Sequence, residues 1–271
     1  MRKIILNAGA LLDKVRKEAP VVHHLTNWVT VYDCAQAVKS FGASPVMAHA
    51  VEEAAEMSGI ASALVLNIGT LTADVLEAMK KACGAANKKG IPVVLDCCGA
   101  GATRFRDESC LALVKDFRID LIKGNASEIC RMSGGASVTK GVDSTLSASA
   151  VDMSVTAGKL AKDKDCVVAA TGVEDIVTDG RKVYAVRNGH PLMSGVVGTG
   201  CMAASVIGTF AAVEKDFVAA AACGLVCFEI AAELAARRCK GPGSFKAALF
   251  DRVHSLKKDT VLKMQRVYTS D

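Results

Sequence analysis

The stretch best suited to chemistry is GVVGTGC, at residues 195–201. Glycines allow backbone N–H groups to converge on an anion, and a helix that follows adds the positive end of its dipole. The apolar stretch MAASVIGTFAAV comes directly after Cys201 and predicts such a helix. The loop therefore predicts a cradle for a phosphate oxygen, with a thiol where the helix begins.

Cys201 is one of eleven cysteines, and its position distinguishes it from the rest. A helix N-terminus lowers the pKa of a thiol. The other cysteines occur at irregular spacings and include no CxxC pair, which is unlike a disulfide framework or a zinc site. We therefore expect a reducing compartment, the cytoplasm, in which most thiols pack as small apolar side chains.

Polar residues also end several strand-like stretches. VVLD ends at Asp96, CVVAAT ends at Thr171, and VHHLTN ends at Asn27. Ligands of open α/β sheets bind beyond the carboxyl ends of parallel strands. These strand ends therefore predict an active site along one edge of one sheet.

The elements that must position these residues alternate between strand-like and helix-like patterns. Helices are predicted at a stretch opened by Asn125 and at residues 28–41, 49–58, 72–89, 105–116 and 144–163. Strands are predicted at residues 44–47, 62–68, 91–96, 119–124 and 166–171. A hairpin is predicted at 175–186, with its turn at Asp179-Gly180. From Gly200 onward the chain is predicted to be helical almost throughout.

This alternation predicts an α/β fold, a single domain over residues 1–271 with a mainly parallel central sheet and helices on both faces. Because 51% of the residues are hydrophobic but 4% are aromatic, the core must consist of Ala, Val, Leu and Ile. The apolar runs at 195–213 and 217–228 suit buried helices better than membrane spans. The net charge of +5 is spread along the chain, so we expect no nucleic-acid partner and no membrane association.

Five separated motifs occur in order along nearly the whole chain: VHHLTNWVTVYDCAQAVKSFGASPVM, DCCGAGATRFR, IKGNASEI, TGVEDIVTDG and NGHPLMSGVVGTGC. Together they resemble the hydroxyethylthiazole kinase family of thiamine biosynthesis. The resemblance implies a ribokinase-like fold and transfer of the γ-phosphate of ATP to the primary alcohol of 4-methyl-5-(2-hydroxyethyl)thiazole, with Mg²⁺. It also implies a homotrimer with active sites at the subunit interfaces.

The resemblance further implies roles for individual residues. Cys201 stands where most ribokinase-like kinases have an aspartate base. Asp96 and Glu128 match acidic positions near the metal and the phosphates, which makes them the expected magnesium residues. Lys123 and Thr171 match positions that contact ATP.

Three more residues, Asn27, Met47 and Gly198, match positions around the thiazole. Met47 would be interpreted as a core residue without the resemblance. Glu128 follows Asn125 by three positions, which is the spacing of a helix capping box, and this structural role is compatible with a functional one.

Two other functions remain open at this stage. One is a related ribokinase-like kinase that acts on a pyrimidine alcohol or on pyridoxal, and Cys201 in place of aspartate argues against it. The other is a thiazole-binding protein without catalysis. Asp96, Glu128 and the glycine loop argue against that function.

The chain departs from the family pattern at two places. Lys123 stands where the family usually has arginine, and Cys97-Cys98 replaces Pro-Val. Lysine keeps the charge but lacks the bidentate guanidinium, so we expect weakened rather than abolished ATP binding. Loss of the proline restores a backbone donor to the loop.

We expect Lys123→Arg to bind ATP more tightly than the wild type, because a guanidinium can form two parallel hydrogen bonds to phosphate. Nucleotide titration of the two proteins measures the difference. Unchanged or weaker binding by the variant would contradict this interpretation of Lys123.

Overall fold

The computed structural model describes residues 1–135, 139–140, 143–144 and 150–270. Its helices are α1 (Ala8–Glu18), α2 (Val31–Ser40), α3 (Ala54–Ile60), α4 (Ala73–Lys89), α5 (Arg104–Asp116), α6 (Ala126–Met132), α7 (Ala150–Lys164), α8 (Thr199–Ala211), α9 (Phe217–Ala236), α10 (Pro242–Ser255) and α11 (Lys258–Met264). Its strands are β1 (Arg2–Ile4), β2 (Val21–Leu25), β3 (Ser44–Val46), β4 (Ala63–Asn67), β5 (Val93–Asp96), β6 (Leu121–Asn125), β7 (Thr139–Lys140), β8 (Asp143–Ser144), β9 (Val167–Thr171), β10 (Asp175–Thr178), β11 (Val183–Val186) and β12 (Val267–Thr269).

Ten of these strands form one sheet in the order β1-β12-β11-β10-β9-β6-β5-β4-β2-β3. The six strands from β9 to β3 are parallel to their neighbours. From β9 to β1 the pairing is antiparallel. The predicted α/β fold with a mainly parallel sheet is therefore confirmed, and its parallel part contains every strand end chosen from the sequence.

Most predicted elements lie within a few residues of their observed positions, and the hairpin turns at Asp179-Gly180 as expected. The helix predicted at 49–58 begins later, at Ala54, after a turn. The helix predicted at 144–163 is described from Ala150 onward; its first residue, Ser144, lies in β8, and residues 145–149 lie outside the described residues.

The prediction of an almost wholly helical C-terminal part is wrong at its end. Strand β12 pairs with β11 on one side and with β1 on the other. Both β1 and β12 are three residues long, too short for a period-two pattern to stand out. Their pairing joins Arg2 to Thr269, so it depends on contacts that are remote in sequence.

Two hydrophobic clusters cover the two faces of the sheet. One consists largely of α8 and α9 packed with α1, α2 and α10, and the other includes α4 and α7. Helix α9 is long and apolar enough to cross a membrane by length and composition, but most of it is buried inside the fold. The prediction that the two apolar runs form buried helices is confirmed.

Strand register places the polar strand ends side by side. Asn67 is the partner of Asp96 across β4 and β5, and Asp96 is the partner of Lys123 across β5 and β6. Asn125 is in turn the partner of Thr171 across β6 and β9. The parallel sheet therefore brings residues from separate parts of the chain to one edge.

Gly208 allows α8 to approach the sheet, because a Cβ at this position would overlap Val65 Cγ2 of β4. We expect Gly208→Ala to lower the free energy of unfolding by about 1–3 kcal/mol, the usual effect of overpacking a core. Urea unfolding followed by circular dichroism measures it.

Gly84→Ala is the matched control, since Gly84 lies on α4 with Phe117 Cε1 at an ordinary 3.9 Å from the added Cβ. Alanine is favoured over glycine inside a helix, so this variant should keep or raise stability. A Gly208→Ala protein as stable as the wild type would contradict the close helix–sheet contact.

Candidate active site

The centre of the candidate site is a buried ion pair at the carboxyl ends of β5 and β6. Lys123 Nζ lies 3.3 Å from Asp96 Oδ1. The Asp96 side chain is fully buried and that of Lys123 is 5% exposed. Burial disfavours the ammonium charge of Lys123, but the charges of Asp96 and Glu128 outweigh this effect and raise its pKa. Each partner therefore stabilises the other in its ionised form.

Two buried asparagine amides connect this ion pair to neighbouring strands. Asn67 ends β4 and donates from Nδ2 to Asp96 Oδ2 at 2.5 Å. Asn27 follows β2 and donates from Nδ2 to Asn67 Oδ1 at 2.9 Å and to Cys201 Sγ at 3.3 Å. Side chains from four adjacent strand ends thus meet the first turn of α8.

The glycine loop brings the N-terminus of α8 against the ion pair. Gly198 caps the helix with φ +91°, and a Cβ here would overlap the Thr30 side chain, so both the backbone and the space require glycine. At Gly200, an added Cβ would lie 3.1 Å from Lys123 Nζ. The positive N-terminus of α8 and the Lys123 ammonium are therefore next to each other, as an anion-binding site requires.

The Cys201 thiol is 9% exposed and forms hydrogen bonds with Cys98 and Asp96. The pKa of Cys201 is lowered to about 7, chiefly by the hydrogen bond from Cys98. Burial and the Asp96 charge act to raise this pKa, and the Lys123 charge acts to lower it. By contrast, burial raises the pKa of Cys83 to about 12. A thiol with a pKa near 7 is partly ionised at neutral pH, so Cys201 can accept a proton.

Glu128 lies at the first turn of α6, where it completes the predicted capping box with Asn125. Its Oε2 accepts from Asn125 N at 2.7 Å, and its Oε1 accepts from Gly99 N, also at 2.7 Å. Burial raises the pKa of Glu128 to about 7, and the Asp96 charge adds to this rise while Lys123 opposes it. Glu128 therefore combines a structural role with a position beside the ion pair.

Met47 and Thr171 lie on opposite sides of these strands. Met47 follows β3 and is partly buried against the core. Thr171 ends β9, and its Oγ1 donates to Gly124 O at 3.4 Å. Because β3 and β9 flank β2, β4, β5 and β6 in the sheet, the two residues mark two regions separated by the ion pair.

The family model for hydroxyethylthiazole kinases matches residues 12–259. A hydroxyethylthiazole kinase of Methanosarcina mazei is 53% identical over 256 residues, which cover 94% of this chain and 97% of that protein. The chain belongs to the hydroxyethylthiazole kinase family.

Solved structures agree with this assignment. The hydroxyethylthiazole kinase protein of Pyrococcus horikoshii OT3 superposes with a TM-score of 0.88 at 38% identity, covering 97% of this chain and 99% of that one. A ribokinase-like superfamily protein of Enterococcus faecalis V583 gives a TM-score of 0.61 at 13% identity, with 91% and 89% covered, and shows a shared fold alone. This family member therefore has the ribokinase-like fold expected from the sequence.

Sequence reasoning missed Asn67 in this family member. The signal was present, because the strand SALVLNI carries its only amide near its end, just as VVLD carries Asp96. The rule that polar residues at parallel strand ends form sites would have selected it. Thr30, which hydrogen bonds to Asn27, was also missed, and one threonine among many offers no comparable signal.

The two cysteines that depart from the family pattern differ in position. Cys97 is buried, whereas Cys98 is half-buried and in contact with Cys201. A valine at position 98 could not form this hydrogen bond. The Cys98 carbonyl also accepts from Arg106 Nη1 at 2.9 Å, and Arg106 Nη2 donates to Gly69 O, which joins the loops after β4 and β5.

Asp96 and Glu128 have the chemistry that Mg²⁺ requires, namely carboxylate oxygens. A carboxylate has about four lone-pair sites, and the hydrogen bonds from Asn67, Lys123 and Cys201 to Asp96, and from Gly99 and Asn125 to Glu128, leave at least one site on each. Within the described part of the chain, no group of three His, Cys, Asp or Glu side chains could hold a metal alone. The pair therefore fits an ion that keeps several waters and shares phosphate ligands.

Proposed function

We propose that this chain transfers the γ-phosphoryl group of ATP to the primary alcohol of 4-methyl-5-(2-hydroxyethyl)thiazole, in thiamine biosynthesis or salvage, as a single kinase domain over residues 1–271. Family membership supports the reaction. The observation that carries the proposal is the buried Asp96–Lys123 pair beside Cys201 and the N-terminus of α8. Phosphoryl transfer needs this combination of positioning and charge neutralisation.

The nucleotide occupies the side of the site formed by β6 and β9. Lys123 binds the phosphates as a cation, and Thr171 contacts ATP from the end of β9. Asp96 and Glu128 would hold Mg²⁺ together with the phosphates, where a bound ion would supply positive charge against the negative charge of the transferring group. The glycine loop binds the transferring phosphoryl oxygens through the N-terminus of α8.

The thiazole occupies the side formed by β2 and β3. Asn27 and Met47 line it from the ends of these strands, and Gly198 contributes its backbone at the cap of α8, packed against Thr30. Cys201 lies between the two regions, hydrogen-bonded to both Asn27 and Asp96. We assign to its thiolate the removal of the alcohol proton as the phosphoryl group is transferred, because little base strength is needed in a dissociative transition state.

We further propose a homotrimer with the active sites at subunit interfaces, located in the cytoplasm. Trp28, Val29 and Tyr32 are exposed around the start of α2, next to Asn27, and Val197 is exposed in the glycine loop. Large apolar side chains grouped in this way are typical of surfaces that a partner covers. All eleven cysteines are free thiols, in keeping with a reducing compartment.

The direct test is an assay with ATP, Mg²⁺ and hydroxyethylthiazole, with the product identified by mass. The same assay with pyridoxal and with a pyrimidine alcohol tests the related kinases. Phosphorylation of the thiazole in preference to both supports the proposal. Tight thiazole binding without transfer would instead support a binding protein.

We expect Cys201→Ala to lower kcat by about 10²-fold or more, since general-base groups contribute about 10²–10⁴-fold. Steady-state kinetics at neutral pH measures the loss. Cys83→Ala is the matched control, because Cys83 is a buried thiol on α4 in the opposite cluster. Full kcat in Cys201→Ala would refute a catalytic thiol.

We expect Asp96→Asn to impair Mg²⁺-dependent turnover far more than thiazole binding. Loss of the charge leaves Lys123 buried without its partner and removes a metal ligand, so kcat should fall about 10²-fold or more. Calorimetry should give a thiazole Kd within about threefold of wild type, because Asn27 and Met47 are retained.

Asp120→Asn is the control for this change, since Asp120 precedes β6 at the opposite edge of the sheet and pairs with Arg118. Its turnover should equal that of the wild type. An equal loss of thiazole affinity and turnover in Asp96→Asn would contradict the assigned role.

A further inference from the structure

We infer that Asn67 is a positioning residue for the transfer step, which holds the Asp96 carboxylate and the Asn27 amide in one fixed orientation. The inference rests on the proposed function. Asn67 is 3% exposed and lies between these two groups, with hydrogen bonds of 2.5 Å to Asp96 and 2.9 Å to Asn27. It contacts the proposed magnesium residue with one end of its amide and the proposed thiazole residue with the other.

A backbone donor fixes the orientation of the Asn67 amide. Gly69 N lies 2.9 Å from Asn67 Oδ1, and a backbone N–H can only donate. The oxygen of Asn67 must therefore face Gly69, and its Nδ2 must face Asp96. The side chain cannot flip without placing two donors against each other.

The same argument fixes Asn27. Its Oδ1 accepts from Thr30 N at 3.1 Å and from Thr30 Oγ1 at 3.0 Å. Its Nδ2 must then face Asn67 Oδ1 and Cys201 Sγ. Two backbone N–H groups thus give the whole chain of hydrogen bonds a single direction.

The fixed direction of these hydrogen bonds has a chemical consequence at Asp96 and at Cys201, the two ends of the chain of hydrogen bonds. Asp96 Oδ2 always accepts a hydrogen bond from Asn67, and Oδ1 accepts one from Lys123. These two hydrogen bonds fix the orientation of the carboxylate plane. Cys201 Sγ always accepts a hydrogen bond from Asn27, which fixes the side of the sulfur that faces this amide. Both ends of the Asn67 amide are engaged by protein groups, so we assign it an action through its neighbours.

The packing leaves little room for another arrangement. A Cβ at Gly69 would lie 3.0 Å from Asn67 Oδ1 and 3.1 Å from Asn27 Cβ, so the loop after β4 is pressed against both amides. Arg106 holds this loop through the Gly69 carbonyl. The orientation of Asn67 is therefore set by the backbone before any ligand binds.

Two substitutions of Asn67 test the donor and the acceptor of its side-chain amide separately. Asn67→Asp keeps an acceptor for Gly69 N and Asn27 but replaces the donor to Asp96 with an oxygen. Asn67→Leu removes both functions at similar volume. Asn87→Asp is the matched control: Asn87 on α4 also donates through Nδ2, to Arg118 O, and also accepts a backbone N–H.

We expect Asn67→Asp to lower kcat about 10- to 100-fold, as loss of a hydrogen bond to a charged group does, with the KM for the thiazole within about threefold of wild type. Asn67→Leu should lower kcat and also raise this KM about tenfold, because Asn27 loses its acceptor. Asn87→Asp should leave both unchanged. Thermal unfolding of all three proteins reports their stability.

Two outcomes would overturn the inference. One is an Asn67→Asp protein with kcat within threefold of wild type. The other is a pair of Asn67 variants that lose kcat and thiazole affinity together, in proportion to their loss of stability, because a purely structural residue would behave in that way.

A measurement that does not depend on turnover keeps the inference testable. Hydrogen exchange of the Asn27 side-chain amide, followed by NMR, should be slow in the wild type and in Asn67→Asp and fast in Asn67→Leu. Equal exchange in all three would refute the fixed orientation. A wild-type protein without turnover would refute the proposed function, and the exchange rates would still decide how Asn67 holds Asn27.

Discussion

The buried ion pair between Asp96 and Lys123 imposes the strictest constraint on this structure. Removing two charges from water costs several kcal/mol for each ion, and their attraction offsets this cost only when other groups satisfy the remaining donors and acceptors. Asn67 supplies one such group on the Asp96 side, and the nearby Glu128 charge favours the ammonium on the other. Much of the polar character at this sheet edge follows from that requirement.

The ion pair also explains the small residues around it. Gly200 lies so close to Lys123 Nζ that a methyl group would crowd the ammonium, and Gly198 takes a conformation that brings α8 to this point. Behind the loop, α8 is buried from Cys201 to Ala211, so the glycines are fixed to a rigid apolar helix. The loop is therefore a close-fitting part of the site rather than a flexible one.

The sequence predicted those features that local pattern controls. Apolar β-branched runs marked the parallel strands, and the polar residue that ends each run marked the site edge, as Asp96 and Thr171 show. The Asn125–Glu128 capping box is likewise local, since both partners lie in one helical turn. Family resemblance supplied what the residues alone could not, namely the reaction and the roles proposed for Met47 and Lys123.

Features set by distant contacts were not predicted. Strands β1 and β12 are defined by their pairing rather than by their composition. Asn67 could have been selected as a strand-end amide, but the direction in which its amide faces was not predictable, because Gly69 and Asn27 determine it only once the strands are side by side. The depressed pKa of Cys201 depends similarly on Cys98, which reaches it through the fold.

The position of β12 inside the sheet has a consequence for how the protein is made. Val267 is the register partner of both Ile4 and Val186, so the first strand of the chain joins the sheet only through the last. During synthesis, residues 2–4 have no strand to pair with until residues 267–269 leave the ribosome. The strands that carry the site, β2 to β9, are complete about a hundred residues earlier. The strand-end residues of the site can therefore come together, and α8 with Gly198 and Cys201 can follow, before the far edge of the sheet is paired.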